Sequence, residues 1–284
     1  MSDTKISWAD KSWNPVTGCS KIATGCAHCY AERMAKRLKA MRQHKYRNEF
    51  AVTCHPDALS EPLKWKRGKR VFVCSMSDLF HADVPTTYID KVHATAALCP
   101  QHTFLFLTKR PSRMADYFSD NSVVFGQRRG YHRSWPAIIE MQNVYAQNGQ
   151  WLTSPLWWQT GMAPPNVHLG TSCSTQADAD KNIPELLRCP VAVRWLSLEP
   201  LLEAVDLRHM LPYDEDSEYL NHIVVGCESG PGRRPCKFEW IEYVIDQCDT
   251  AGWLVYVKQV EINGKVSTNP AEWPKHLRRQ ELPT

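Results

Sequence analysis

The chain has 284 residues, 43% hydrophobic and 23% charged, with a net charge of +4, an ordinary globular composition that suits one large domain. No stretch approaches the roughly 20 consecutive apolar residues of a membrane span, and the polar opening MSDTKISWADKSW lacks the apolar core of a signal peptide. Eleven cysteines, an odd number with no secretion signal, argue against a disulfide framework. The expectation is a soluble, cytoplasmic, single-domain protein over residues 1–284.

In chain order, the first informative segment is Trp13–Glu32, WNPVTGCSKIATGCAHCYAE. It spaces three cysteines as C-x6-C-x2-C, with Gly18 and Gly25 immediately before the first two, where glycine lets backbone fold closely around a bound centre. A helix follows Cys29, with Tyr30, Met34, Leu38 and Met41 on one face. From Arg33 to Arg47 there are seven basic residues and no acid. Lys64, Lys66, Arg67, Lys69 and Arg70 form a second basic cluster. Such clusters suit a polyanion and equally suit solvated faces.

Short apolar runs then alternate with helical patterns. Arg70–Phe80 precedes a helix over Thr86–Cys99, and His102–Arg110 precedes a helix opened by Pro111 and Ser112. Val167–Cys173 leads into Thr175–Arg188. Val191–Glu199 and His222–Gly230 follow, the latter leading into a helix over Phe238–Thr250, and Trp253–Val260 closes the series. Near-continuous apolar strands between helices predict a parallel sheet buried on both faces, as in an α/β barrel or a doubly wound sheet. No G-x-G-x-x-G follows a strand, which lowers the dinucleotide reading. Cys74 and Cys248 fall in apolar patterns and read as small core residues.

The segment from about 119 to 165 interrupts the alternation. It carries Trp135, Trp151, Trp157 and Trp158 beside Arg128, Arg129 and Arg133, and reads as an insertion whose tryptophans form a small satellite core or stack on bases.

Polar residues collect where the strands end: Ser75, Ser77 and Asp78; Thr108, Lys109 and Arg110; Thr171 and Ser172; Ser197 and Glu199; Glu228 and Ser229; Lys258 and Gln259. In a barrel this face builds the active site. Asp78 also suits a turn cap, Glu199 before Pro200 a strand end, and Glu228 a turn hydrogen bond. Three thiols within eleven residues suit zinc, with His28 or the pair Cys54 and His55 as a fourth ligand, or an iron–sulfur cluster.

The cysteine loop resembles that of the radical S-adenosylmethionine superfamily, with the aromatic His28 before the last cysteine. The first gap is wider than the usual three residues. Across nearly the whole chain, WNPVTGC, SMSDLF, FLFLTKRP, HLGTSC, LSLEPL, GCESGPG and the closing KQ resemble the phage Gp37/Gp68-like, three-Cys-motif proteins, with spore photoproduct lyase as the nearest guide. The resemblance implies a partial (β/α) barrel of about six to seven parallel strands, in a bacterial or phage-infected cell. It implies a four-iron, four-sulfur cluster on Cys19, Cys26 and Cys29 whose open iron binds S-adenosylmethionine, fed by an external one-electron reductant. Ser75, Ser77 and Asp78 occupy the place that receives the methionine ammonium, although the usual Gly-Gly-Glu is absent. Lys109 or Lys258 would pair the methionine carboxylate, and Ser172, Glu199 and Glu228 would lie near the ribose or substrate, with Glu199, Glu228 and Lys258 as catalytic candidates.

The substrate expected is a nucleotide or a nucleic-acid base, undergoing repair, modification or isomerisation. Two other functions fit the residues: a zinc-stapled nucleic-acid-binding protein without catalysis, and a barrel hydrolase or lyase using Asp78, Glu199 and Glu228.

Overall fold

A computed structural model describes residue 4 and residues 6–120, 123–125, 128–131, 134–147, 163–210 and 219–283. The strands are β1 (Lys11–Trp13), β2 (Val16–Thr17), β3 (Thr53–Cys54), β4 (Arg70–Val73), β5 (Thr103–Thr108), β6 (Val123–Phe125), β7 (Arg128–Tyr131), β8 (Val167–Ser172), β9 (Val193–Leu198), β10 (His222–Gly226), β11 (Leu254–Ile262) and β12 (Lys265–Ser267). The α-helices are α1 (Tyr30–Ala40), α2 (Thr86–Ala97), α3 (Pro111–Ser119), α4 (Trp135–Gln147), α5 (Gln176–Leu187) and α6 (Phe238–Ala251).

Eight strands form one sheet in the order β1-β4-β5-β8-β9-β10-β11-β12. The first seven run parallel, and β12 pairs antiparallel with β11. The order never reverses. Each parallel crossover is right-handed by the usual packing rule, so an unreversed order sends every crossover helix to the same face, as in a barrel rather than a doubly wound sheet. The barrel is partial: β1 and β12 are opposite edges of an open sheet.

Alternation along each strand separates two cores. Val71, Val73, Phe104, Phe106, Leu169, Leu196, Leu198, Ile223, Val225, Val255 and Val257 pack outward against Ile89, Met114, Ile183 and Ile241 of the helices. Phe72, Leu105, Trp195, Val224 and Tyr256 point to the other, concave face, where Trp8 joins them. Trp8 meets Phe72 and Trp195 edge-on, with ring centroids 4.7 and 5.3 Å apart, a favoured aromatic geometry. The concave face is therefore plugged below, and its polar residues lie at the strand C-termini.

The sequence boundaries hold to within a few residues, except that the first run is shorter: β4 stops at Val73 and residues 74–80 form turns above it. The seventh parallel strand is β1, too short for a periodicity signal; Trp13 within it is fully buried. The face expected along α1 packs only lightly, with Ala35 its one buried residue and Tyr30 57% exposed.

Within the insertion, β6 and β7 pair antiparallel, while Ala137 and Ile138 of α4 pack on Ala94 and Ala97 of α2 and on Leu98 just past its end, as a satellite core. Arg133, Trp151, Trp157 and Trp158 lie outside the described residues, and the stacking role considered for the tryptophans lies outside them too. All eleven cysteines are free, and seven are buried as core residues.

Candidate metal and cofactor site

The loop carrying Cys19, Cys26 and Cys29 lies across the C-terminal ends of the parallel strands and is fastened to several of them. At its start, Asn14 Oδ1 accepts from Ser75 Oγ (3.2 Å) and from the Met76 amide (3.1 Å), and Ser77 Oγ donates to the Val16 carbonyl (2.8 Å). Ser75 and Ser77 thus anchor the loop to the end of β4. The Gly18 and Cys19 amides donate to Met76 and Phe50 carbonyls. Gly18 sits at φ +84°, and a Cβ there would stand 2.2 Å from the Ala51 carbonyl oxygen, so only glycine fits.

Gly25 makes the second close approach. A Cβ on it would lie 2.2 Å from Ser174 Oγ and 3.4 Å from Lys109 Nζ. The loop backbone therefore rests directly on the ends of β5 and β8. Beneath it, Lys109 Nζ donates to Ser172 Oγ (2.6 Å), and Ser172 Oγ donates to the Glu199 carbonyl (3.3 Å). The Glu199 carboxylate is ion-paired with Lys258. Four of the expected residues thus meet on the concave face as two linked polar pairs.

Asp78 is 5% exposed, and its carboxylate accepts from Thr108 Oγ1 (2.7 Å), the Phe80 and Lys109 amides (3.0 and 3.1 Å) and Arg110 Nη1 (2.9 Å). Two oxygens offer about four lone-pair sites; for Asp78 to receive a bound ammonium, one of these donors has to leave. Arg110 Nη1 also donates to Cys19 Sγ (3.4 Å), and Nη2 donates to Ser20 Oγ (3.0 Å) and the Ser20 carbonyl (3.2 Å). Burial, then the nearby Asp78 carboxylate, push the Cys19 thiol up; the Arg110 donor pulls the other way. His81 accepts at Nδ1 from the Asp83 amide (3.1 Å), which leaves its Nε2–H to donate to Ser20 Oγ (2.7 Å).

The opposite side of the loop is held by Glu228, just past β10. Its carboxylate accepts from the Arg234 amide (2.7 Å) and from Arg234 Nε (3.1 Å) and Nη2. It also accepts from His28 Nδ1 at 3.0 Å. Burial opposes ionisation, but the Arg234 and His28 bonds prevail and bring Glu228 down to about 2. The carboxylate is therefore charged at neutral pH, and His28 Nδ1 is the donor. Arg234 Nη1 reaches the Thr24 carbonyl (3.0 Å), closing the clasp.

Sequence reading named Glu228 for the pocket but did not find its engagement with Arg234 and His28, nor the contact of Arg110 with Cys19. Arg234 lies only six residues past Glu228, but the other two contacts join residues far apart in sequence, 200 residues for His28–Glu228 and 91 for Arg110–Cys19, and no local spacing announces those.

Among the described residues, no three His, Cys, Asp or Glu side chains converge as a single-ion site. Zinc–sulfur bonds of about 2.3 Å would draw the sulfurs around one point, whereas the thiolates of a four-iron cube bind different irons. The donor set fits such a cube with one iron left open: three half-exposed thiols on one loop.

Two solved structures resemble the chain. Spore photoproduct lyase complexed with dinucleoside spore photoproduct matches at 10% identity with a TM-score of 0.44, over 88% of this chain and 64% of that one. A doubly substituted mutant of spore photoproduct lyase, with bound AdoMet and dinucleoside spore photoproduct, matches at 10% identity with a TM-score of 0.46, over 93% and 68%. The chain thus spans about two thirds of those proteins' length. No curated protein sequence matches it. The family model described as "Protein of unknown function (DUF5131)" matches residues 3–278, and the chain belongs to that family.

Proposed function

We propose that the protein is a radical S-adenosylmethionine enzyme acting on a nucleotide or a DNA base, akin to the phage Gp37/Gp68-like proteins. The observation that carries this reading is the placement of three thiols on a loop fastened across the C-terminal strand ends, directly above a charged, concave floor. Cys19, Cys26 and Cys29 would hold the four-iron cluster. When bound, such a cluster would supply one-electron reductive cleavage of S-adenosylmethionine, with the electron coming from an external low-potential donor.

The chain's own residues bind and orient the cofactor. Lys109, held by Ser172, presents an ammonium beneath the loop for the methionine carboxylate. Glu199 and Ser172 offer acceptors to the methionine ammonium or the ribose hydroxyls. Lys258, paired with Glu199, is placed to give or take a proton at the substrate. The four donors on Asp78 favour a supporting role for it, with Ser75 and Ser77 beside it holding the loop. Exposed Arg33 and Arg37 on α1, immediately past Cys29, suit a phosphate-bearing substrate.

Anaerobic reconstitution should give a brown protein with about four irons and four sulfides per chain, the content of one such cluster. Dithionite and S-adenosylmethionine should then yield 5′-deoxyadenosine. A colourless chain that keeps only zinc after iron loading overturns the reading. One contact favours a second reading, a zinc-stapled nucleic-acid-binding protein: a histidine whose Nδ1 donates to a carboxylate, as His28 does to Glu228, is the usual arrangement of a metal-bound imidazole. The same iron and zinc analysis separates the two.

A further inference from the structure

We propose that Arg110 tunes the cluster, by donating from its guanidinium to the Cys19 sulfur and so easing uptake of the electron. The proposal rests on the reading of Cys19 as a cluster ligand. Reduction adds one negative charge to the cluster and its thiolates. A fixed cationic donor beside one of those sulfurs stabilises the reduced form more than the oxidised form, and hydrogen bonds to sulfur are an established control of cluster potential.

The guanidinium has little freedom to be elsewhere. Arg110 is the residue preceding α3, and Pro111 opens that helix. Its amide donates to Thr108 Oγ1 at 2.8 Å. Its side chain is 15% exposed, so bulk water screens it weakly. Nη1 is shared between Asp78 Oδ2 and Cys19 Sγ, while Nη2 is taken by Ser20. Asp78 is itself fixed by three donors from the ends of β4 and β5. A purely structural strut between Asp78 and Ser20 would not require a donor aimed at sulfur. This one has it, 3.4 Å away.

The test is an EPR-monitored redox titration of the reconstituted full-length chain, without S-adenosylmethionine, so that turnover plays no part. In Arg110→Met the ratio of reduced to oxidised cluster at the wild-type midpoint should fall about tenfold, equivalent to about 59 mV for one electron. Arg110→Gln, neutral and too short to reach the Cys19 sulfur, should move the same way. Arg110→Lys, which keeps the charge and loses the fork, should recover part of the shift. A loaded Met or Gln variant with the wild-type midpoint overturns the role of Arg110 and leaves the cluster reading intact. If neither variant holds iron, Arg110 is a structural residue and the proposal fails. A wild-type chain that takes up no iron–sulfur cluster overturns both.

Discussion

Gly25 is where a single residue exerts the clearest constraint on the candidate site. Its missing side chain is the space occupied by Ser174 Oγ, which is buried and has no hydrogen-bond partner among the described residues. Gly25→Ala would place a methyl 2.2 Å from that oxygen, so either the loop rises from the strand ends or Ser174 turns. Overpacking of this kind typically costs about 1–3 kcal/mol. The expected outcome is a lower iron content per chain after reconstitution and a lowered melting temperature. Ser174→Ala, harmless alone because its hydroxyl is unpartnered, should recover most of both when combined with Gly25→Ala. A double variant no better than Gly25→Ala would mean that the loop is held by something other than this contact.

The cysteine loop, as an element, is clasped from two sides: by Arg110 and the residues above β4 and β5, and by Glu228 just past β10. Glu228 is the stronger test of the second clasp, because one carboxylate joins Arg234, His28 and, through Arg234, the Thr24 carbonyl. Glu228→Gln keeps the shape and removes the charge, and losing bonds to charged groups costs about 1.5–3 kcal/mol each at most. Chelator-driven loss of iron from the reconstituted chain should be several-fold faster in this variant, with the barrel still folded by circular dichroism; an unchanged rate would remove Glu228 from the clasp. The pH dependence has a definite sign. A carboxyl held at about 2 against its ordinary 4.5 contributes stability above pH 4.5, and that contribution is lost as pH falls from 4.5 towards 2. In Glu228→Gln the acid limb should therefore be flatter within that window.

These clasps also mark the boundary of what the sequence reveals. The parallel strands from β4 to β11 are legible because burial on both faces writes itself as unbroken apolar runs, such as Phe104–Leu107. The polar residues above them are legible because a strand end is where apolar runs stop. β1 leaves no such trace, since three residues carry no period. The pairing of Glu228 with His28, or of Arg110 with Cys19, leaves none either: each is set by the curl of the sheet, which brings distant strand ends together beneath one loop. Asp78 shows the cost of reading position alone. Its place at the strand end is as expected, yet four donors from the chain already fill its oxygens.

Over the whole molecule, the two ends of the sheet divide the work. The C-terminal ends carry the charged floor, and the other end is sealed by Trp8, Trp195, Leu282 and two histidines, His168 and His222, around a small cavity. Both histidines are buried, and burial pushes each down to about 4. In the unfolded chain the same rings titrate near 6.5. Between pH 6.5 and 4 the unfolded state therefore binds more protons than the folded one, so stability is complete above pH 6.5 and is lost as pH falls towards 4. At 1.36 kcal/mol per pH unit, each histidine contributes at most about 3 kcal/mol to that loss. Urea unfolding of the metal-free chain should show a midpoint that drops between pH 7 and 5. Replacing both rings by glutamine, which cannot titrate, should lower the midpoint at pH 7 but flatten its slope with pH. Carboxylates such as Glu228 titrate below this window, but burial also lowers His55 and His81 at the cysteine-loop end, so the paired substitution at the sealed end, rather than pH alone, separates the two ends. A double variant whose midpoint still falls as steeply from pH 7 to 5 would show that the acid sensitivity lies outside the sealed end.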